Sequence, residues 1–106
     1  MSVVVVQCSC PDAGSAARIA RTLVEERLAA CVQALPGVAS TFRWEGEVQV
    51  ADEVLLLIKT SRARLGALEA RLPGLHPYDL PELIVLDAAG GLARYLAWIE
   101  AETTPS

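Results

Sequence analysis

The feature that most constrains the fold is residues 31–60, which read as two long strands joined by a tight turn. Val38, Phe42 and Trp44 share one parity, as expected for an alternating strand with one apolar face. The turn falls at residues 44–47, where we expect Gly46 to adopt a positive φ. After the turn, residues 54–58 are all apolar, which predicts a central strand buried on both faces.

This hairpin is too long to be covered by its own domain. At ~3.3 Å per residue the first arm, residues 31–44, would span about 45 Å, whereas a compact domain of this length has a radius of gyration of about 13 Å. Its outer half should therefore project, and projecting apolar strands need cover from another chain. We interpret the hairpin as an oligomer-building arm that buries Phe42 and Trp44. The alternative is a bend at Pro36-Gly37 that folds the arm back.

Composition restricts the class of protein. The chain has 106 residues, which fits a single domain over residues 1–106. Its apolar share of 53% suggests a buried subunit interface. A net charge of -4 argues against binding to nucleic acid, and no apolar run approaches the ~20 residues of a membrane span. Three cysteines imply no disulfide framework. With no basic segment at the start, a reduced, cytoplasmic protein is expected.

The order of predicted elements indicates the fold class. Strand, helix, strand, strand, helix, strand and an extra C-terminal helix form the duplicated split βαβ pattern of an α+β, ferredoxin-like sandwich. We expect an antiparallel sheet with strands one and three in the middle and helices on one face. The predicted elements are a strand at 2–8, a helix capped by Asp12 or Ser15 and reaching about residue 29, a helix capped by Ser61 and ended by Pro73-Gly74, a strand at 83–86, and a helix after Gly90-Gly91.

This topology sorts the polar residues by sheet edge. Cys8, Cys10 and the loop 76–82 should share the edge from which the hairpin projects, and residues 31, 59 and 87 should lie at the opposite edge. Thiolate and imidazole are ligands that suit copper. We therefore predict that His76, the only histidine, and Cys8 are the first two ligands of a metal site.

Other residues are weaker candidates for this site. Cys10, Asp79 and Glu82 could add ligands from the same edge. A zinc site of three cysteines and His76 is disfavoured, because Cys31 should lie a sheet's length away. Alternatively, His76 hydrogen-bonds within its own loop and stiffens it. We identify no catalytic residue, since the sequence lacks a phosphate loop and a Ser–His–Asp spacing, and we expect no enzyme activity.

Six segments together resemble the CutA divalent-cation-tolerance family. They are ERLAAC at 26–31, PGV at 36–38, RWEGE at 43–47, EVLLLIKT at 53–60, HPYDLPE at 76–82 and YLAWI at 95–99. The resemblance covers nearly the whole chain in order. It implies a ferredoxin-like fold in a tight homotrimer, similar in architecture to the PII signalling proteins.

The resemblance also implies a link to copper and divalent-metal tolerance. In some bacterial members, copper ligation is attributed to a cysteine that ends the first strand and to a His-His pair before Pro-Tyr. Here Cys8 and His76 hold two of these positions, and Leu75 stands where the other histidine would be. We therefore expect Cu(II) or another divalent cation to bind weakly to a non-enzymatic homotrimer. The alternative is a PII-like regulatory trimer that binds a small ligand or a protein partner in its inter-subunit clefts.

Overall fold

The computed structural model describes residues 2–105, one residue short of the predicted domain at each end. The α+β fold is the predicted one. Its elements in chain order are β1 (Val3–Cys10), α1 (Ala13–Glu25), β2 (Cys31–Trp44), β3 (Glu47–Ser61), a 3₁₀ turn (Arg62–Arg64), α2 (Leu65–Leu75), β4 (Ile84–Asp87) and α3 (Ala93–Glu102).

The four strands form one antiparallel sheet in the order β2-β3-β1-β4, so the predicted placement of strands one and three in the middle is confirmed. The register also confirms the predicted edges. Cys10 lies opposite Val54, where β1 ends. At the other edge, Cys31 lies opposite Lys59. The loop after α2 returns the chain to the first edge, at the start of β4.

The core lies between the sheet and the helices. Val4, Val6, Leu56 and Ile58 have no exposed surface and face α1 and α2. Leu55 and Leu57 point to the other face of β3 and are only half-buried. The prediction that residues 54–58 are buried on both faces is therefore wrong for the single chain. α1 and α2 cover the opposite face, and α3 reaches the face of Leu55 and Leu57 farther along β3, at Lys59.

The hairpin projects as predicted, and the alternative of a fold-back is wrong. At Pro36 and Gly37 the register with β3 shifts by one residue, which is a β-bulge, and β2 continues beyond it. Gly37 has a φ of +73°, which favours glycine. Pro36 is tolerated there because β2 is an edge strand. The molecule is 44 Å along its longest axis, with a radius of gyration of 14.2 Å.

Several element boundaries differ from the predictions. β1 continues to Cys10 rather than stopping at residue 8, because Ser9 and Cys10 pair with β3. α1 ends at Glu25 rather than near residue 29. Arg27 adopts a φ of 59°, and the Leu28 N–H donates to the Leu23 carbonyl, so a Schellman motif ends the helix without a glycine. β4 spans Ile84–Asp87, one residue later than expected at both ends.

The second helix also differs from its prediction. Ser61 makes no capping bond, because a 3₁₀ turn separates it from α2 and its hydroxyl accepts a hydrogen bond from Thr103. Pro73 lies inside α2, which runs on to Leu75. By contrast, the predicted cap at Asp12 is confirmed, since its carboxylate accepts from the Ser15 N–H at 2.7 Å. Within residues 2–105 no helix is long and apolar enough to cross a membrane.

Candidate metal site

Cys8 and Cys10 lie on the same face of β1, because strand side chains two residues apart share a face. They pair with Leu56 and Val54 of β3 and have no exposed surface. This is the face covered by the helices. Both thiols therefore sit in the wall of the hydrophobic core, at the end of β1 from which the hairpin projects.

His76 follows the last residue of α2 and is 8% exposed. Its backbone N–H donates to the Leu72 carbonyl, which holds the residue against the helix end. In the ring, Nδ1 accepts the Tyr78 N–H at 3.0 Å. Because Nδ1 is an acceptor, the proton of the neutral ring lies on Nε2, which donates to the Ser9 carbonyl at 2.8 Å. Both nitrogens are thus used within the fold.

These three residues form one cluster. The two Sγ atoms and a ring nitrogen of His76 all lie within 4.8 Å of one another. Cys10 Sγ lies 3.9 Å from His76 Nε2. From the sequence, Cys8 was expected to be a stronger candidate than Cys10 as a partner of His76. In the structure, both cysteines lie close to His76. Extending β1 by two residues is what brings Cys10 onto the same face.

The two thiols differ in acidity. Hydrogen bonding to the Cys10 sulfur and burial together raise the pKa of Cys8 well above its ordinary value. The same contact with Cys8 lowers the pKa of Cys10. Cys10 is therefore the thiol that gives up its proton first, and the resulting thiolate would lie beside the imidazole.

The carboxylates are placed differently. Asp79 is exposed, and Glu82 is half-buried with an Oε2 atom that has no hydrogen-bond partner among the described residues. Within residues 2–105, neither joins the Cys8–Cys10–His76 cluster. Glu53, which was not among the predicted site residues, accepts a 2.7 Å hydrogen bond from the Tyr78 hydroxyl. Burial and this bond raise the pKa of Tyr78 to about 12. No motif in the sequence signals that pairing.

A groove of about 900 Å³ lies between the outer part of the hairpin and the loop after His76. Tyr78, Glu53 and Glu82 line its floor and loop side, and Phe42 and Trp44 line its hairpin side. Phe42 and Trp44 are 39% and 45% exposed, so the single chain leaves both uncovered. Gly46 has the predicted positive φ, at +82°, and Glu45 beside it has a φ of 49°. Two successive positive φ values are the signature of a type I′ hairpin turn.

Comparison with known proteins identifies the family. The family model described as "CutA1 divalent ion tolerance protein" matches residues 4–102. The chain is 47% identical to the divalent-cation tolerance protein CutA of Pectobacterium atrosepticum, over 92% of this chain and 89% of that protein. It is 46% identical to the protein of the same name from Thermus thermophilus, over 93% and 96% of the two chains.

A crystal structure of CutA from Xylella fastidiosa superimposes with a TM-score of 0.95 at 47% identity, covering 98% of this chain and all (100%) of that one. Fold and sequence therefore agree along almost the whole length. The chain belongs to the CutA1 divalent ion tolerance family.

Proposed function

We propose that this chain is a metal-binding protein of divalent-cation tolerance, that it works as a non-enzymatic homotrimer, and that it binds copper at the Cys8–Cys10–His76 cluster. The observation that carries the proposal is the cluster itself: two thiols and an imidazole within 4.8 Å in a protein of this family. Sulfur and imidazole nitrogen are donors that suit copper, and copper stands highest in the divalent affinity order.

The fit of a divalent ion is weakened by the state of His76. Nε2 carries a proton that is donated to Ser9, and Nδ1 is occupied by the Tyr78 N–H. An ion at Nε2 must displace the first bond and shift the ring proton. This requirement, together with Leu75 in place of a second imidazole, supports weak binding of Cu(II).

The same geometry supports a role without catalysis. Cys10 and His76 lie close enough to suggest a nucleophile and a base. However, the nitrogen that faces the sulfur already carries a proton and cannot accept another. The Cys10 sulfur also has no access to solvent. Three free thiols in the described chain favour a reducing compartment such as the cytoplasm.

The homotrimer is supported by two uncovered apolar surfaces on opposite edges of the sheet. One is the outer hairpin, where Val48 and Val50 are 65% and 69% exposed. The other is β4, where Ile84 and Leu86 are 53% and 44% exposed. Both β2 and β4 are edge strands with unpaired backbone groups. When two different surfaces meet head to tail, the subunits form a closed ring if the rotation from one to the next adds up to a full turn. The number of subunits, three, comes from the family resemblance.

The test of metal binding is a calorimetric titration of Cu(II) into wild type, His76→Ala and Cys8→Ser. Cys31→Ser is the matched control, because Cys31 lies at the other edge of the sheet. We expect weak binding by wild type and by the control, and loss of binding in His76→Ala. Equal binding by His76→Ala and wild type would place the site elsewhere and leave His76 a structural residue.

The test of assembly is sedimentation at micromolar concentration. We expect the mass of three chains for wild type, since an obligate interface commonly buries more than about 2,000 Å². Trp44→Asp should lower that mass, because it places a charge in the covered surface. A monomeric wild type would contradict the proposal.

A further inference from the structure

The Cys8–Cys10–His76 cluster has a donor set that is softer than a divalent-copper site requires. Two of its three ligand atoms are thiol sulfurs, and no carboxylate joins them among the described residues. Soft sulfur ligands select Cu(I) and zinc, whereas oxygen ligands suit harder ions. The cluster is also closed, since both cysteines have no exposed surface and His76 is 8% exposed.

We infer that this cluster is a site for Cu(I), with both thiolates and His76 Nε2 as its three ligands, so that Cys10 is a full ligand. The inference deepens the proposed function and rests on it. Zinc sites almost always have four ligands, and the described cluster supplies three. Cu(I) accepts fewer ligands than zinc. The buried cluster therefore fits the monovalent ion better.

The distances require only a small contraction. Metal–sulfur bonds of about 2.3 Å place neighbouring ligand atoms about 4 Å apart. Cys10 Sγ already lies 3.9 Å from His76 Nε2, and the farthest pair of ligand atoms lies within 4.8 Å. A shift of less than about 1 Å by the side chain of Cys8 would complete the set.

Binding rearranges protons without any redox step. The thiols of Cys8 and Cys10 each release a proton as a copper–sulfur bond forms. The ring proton of His76 leaves Nε2, which then binds the ion, and moves to Nδ1. Nδ1 currently accepts the Tyr78 N–H, so two donors would face each other. The Tyr78 N–H must therefore turn away, and copper occupancy is linked to movement of the loop after His76.

The experiment is an anaerobic titration of reduced, full-length protein with Cu(I) in competition with a Cu(I)-specific chelator. Wild type, Cys8→Ala, Cys10→Ala and Cys31→Ala are compared, each first checked for folding by thermal denaturation. We expect one Cu(I) per chain and a thiolate-to-copper absorption band in wild type and Cys31→Ala. Affinity should fall by at least about 100-fold in Cys10→Ala, since even outer contacts of a metal site contribute 10- to 100-fold.

Wild type alone provides a second measurement, which does not depend on the folding of the variants. Long-range nitrogen–proton NMR correlation reports which ring nitrogen of His76 is protonated. We expect a proton on Nε2 before Cu(I) is added and on Nδ1 afterwards. A proton that stays on Nε2 with copper bound would overturn His76 as a ligand.

Two other outcomes would overturn the inference. Cu(I) affinity that is unchanged in Cys10→Ala would exclude Cys10, and tighter retention of Zn(II) than Cu(I) would exclude the choice of ion. The proposed function fails separately. If wild type binds no Cu(II) but binds Cu(I), only the divalent proposal is lost. If His76→Ala abolishes Cu(II) binding while Cys10→Ala leaves Cu(I) affinity unchanged, the proposed function stands and only the Cu(I) inference is overturned.

Discussion

The inner and outer halves of β3 belong to one continuous strand but have opposite surroundings. From Val54 to Ile58 every second side chain is buried against the helices. From Glu47 to Val50 every residue is exposed. Both halves have apolar residues at strand spacing, so local sequence does not distinguish them. The difference shows that one half is stabilised by burial within its own chain, whereas the other is left uncovered by that chain.

The largest expected effect is at the inner half. Leu56 has no exposed surface, and Leu56→Ala should lower the free energy of unfolding by about 2–5 kcal/mol, through lost burial and a residual cavity. Chemical denaturation measures it. A loss below about 1 kcal/mol would mean that neighbouring core side chains move to fill the cavity left by the leucine.

At the outer half, Val50→Ala tests whether the arm is covered. Val50 is 69% exposed in the single chain, and a substitution at such a site usually changes stability by no more than about 0.5 kcal/mol. If another subunit covers it, the removed groups should cost about 1.5 kcal/mol instead. We expect the larger value by chemical denaturation of the assembled protein. A loss of no more than about 0.5 kcal/mol would indicate that no other subunit covers Val50.

Replacing the glycine in the turn of the arm should change stability in the opposite direction from replacing a glycine in α2. Gly46 has a φ of +82°, so Gly46→Ala should destabilise by about 1 kcal/mol. Gly66 lies in α2 with open space at its Cβ position, so Gly66→Ala should stabilise by up to about 1 kcal/mol. Thermal denaturation of the pair checks both. The same sign for both would contradict the turn geometry.

The last contrast lies where the two halves meet. Tyr78 donates to Glu53 of β3, and burial with this bond raises its pKa from 10.0 to about 12. A raised acid pKa favours the neutral phenol in the folded state. The stabilisation is complete below pH 10 and is lost as pH rises to about 12. Between those values, the stability of wild type should fall faster than that of Tyr78→Phe. Parallel curves would exclude the contribution.

Much of this fold could be predicted from periodicity. Alternation located the strands, and topology then placed Cys8, Cys10 and His76 at one edge. The boundaries that were missed depend on backbone choices that composition does not signal. Arg27 ends α1 in a left-handed conformation usually reserved for glycine, and α2 continues through Pro73.

The state of the candidate site could not be predicted from the sequence. Which nitrogen of His76 carries the proton depends on the Tyr78 N–H and the Ser9 carbonyl, two backbone groups whose positions only the folded chain defines. The pairing of Tyr78 with Glu53, 25 residues away, is likewise a product of the tertiary fold. The sequence identifies the side chains that could bind a metal. The backbone of the folded chain determines whether their ligand atoms are free to do so.

The bulge at Pro36 and Gly37 keeps the two halves of the arm in phase. Between Leu35 and Val38, β2 has one residue more than β3 has between their partners Leu55 and Glu53. Residues three apart in a regular strand face opposite sides, so the extra residue is what lets Leu35 and Val38 each share the face of its partner. Deleting Gly37 would therefore leave a regular ladder in which Val38 still pairs with Glu53, and the outer side chains would keep their faces. The deletion would remove the bend and added twist of the bulge, so one residue at the root sets the direction in which the outer arm points.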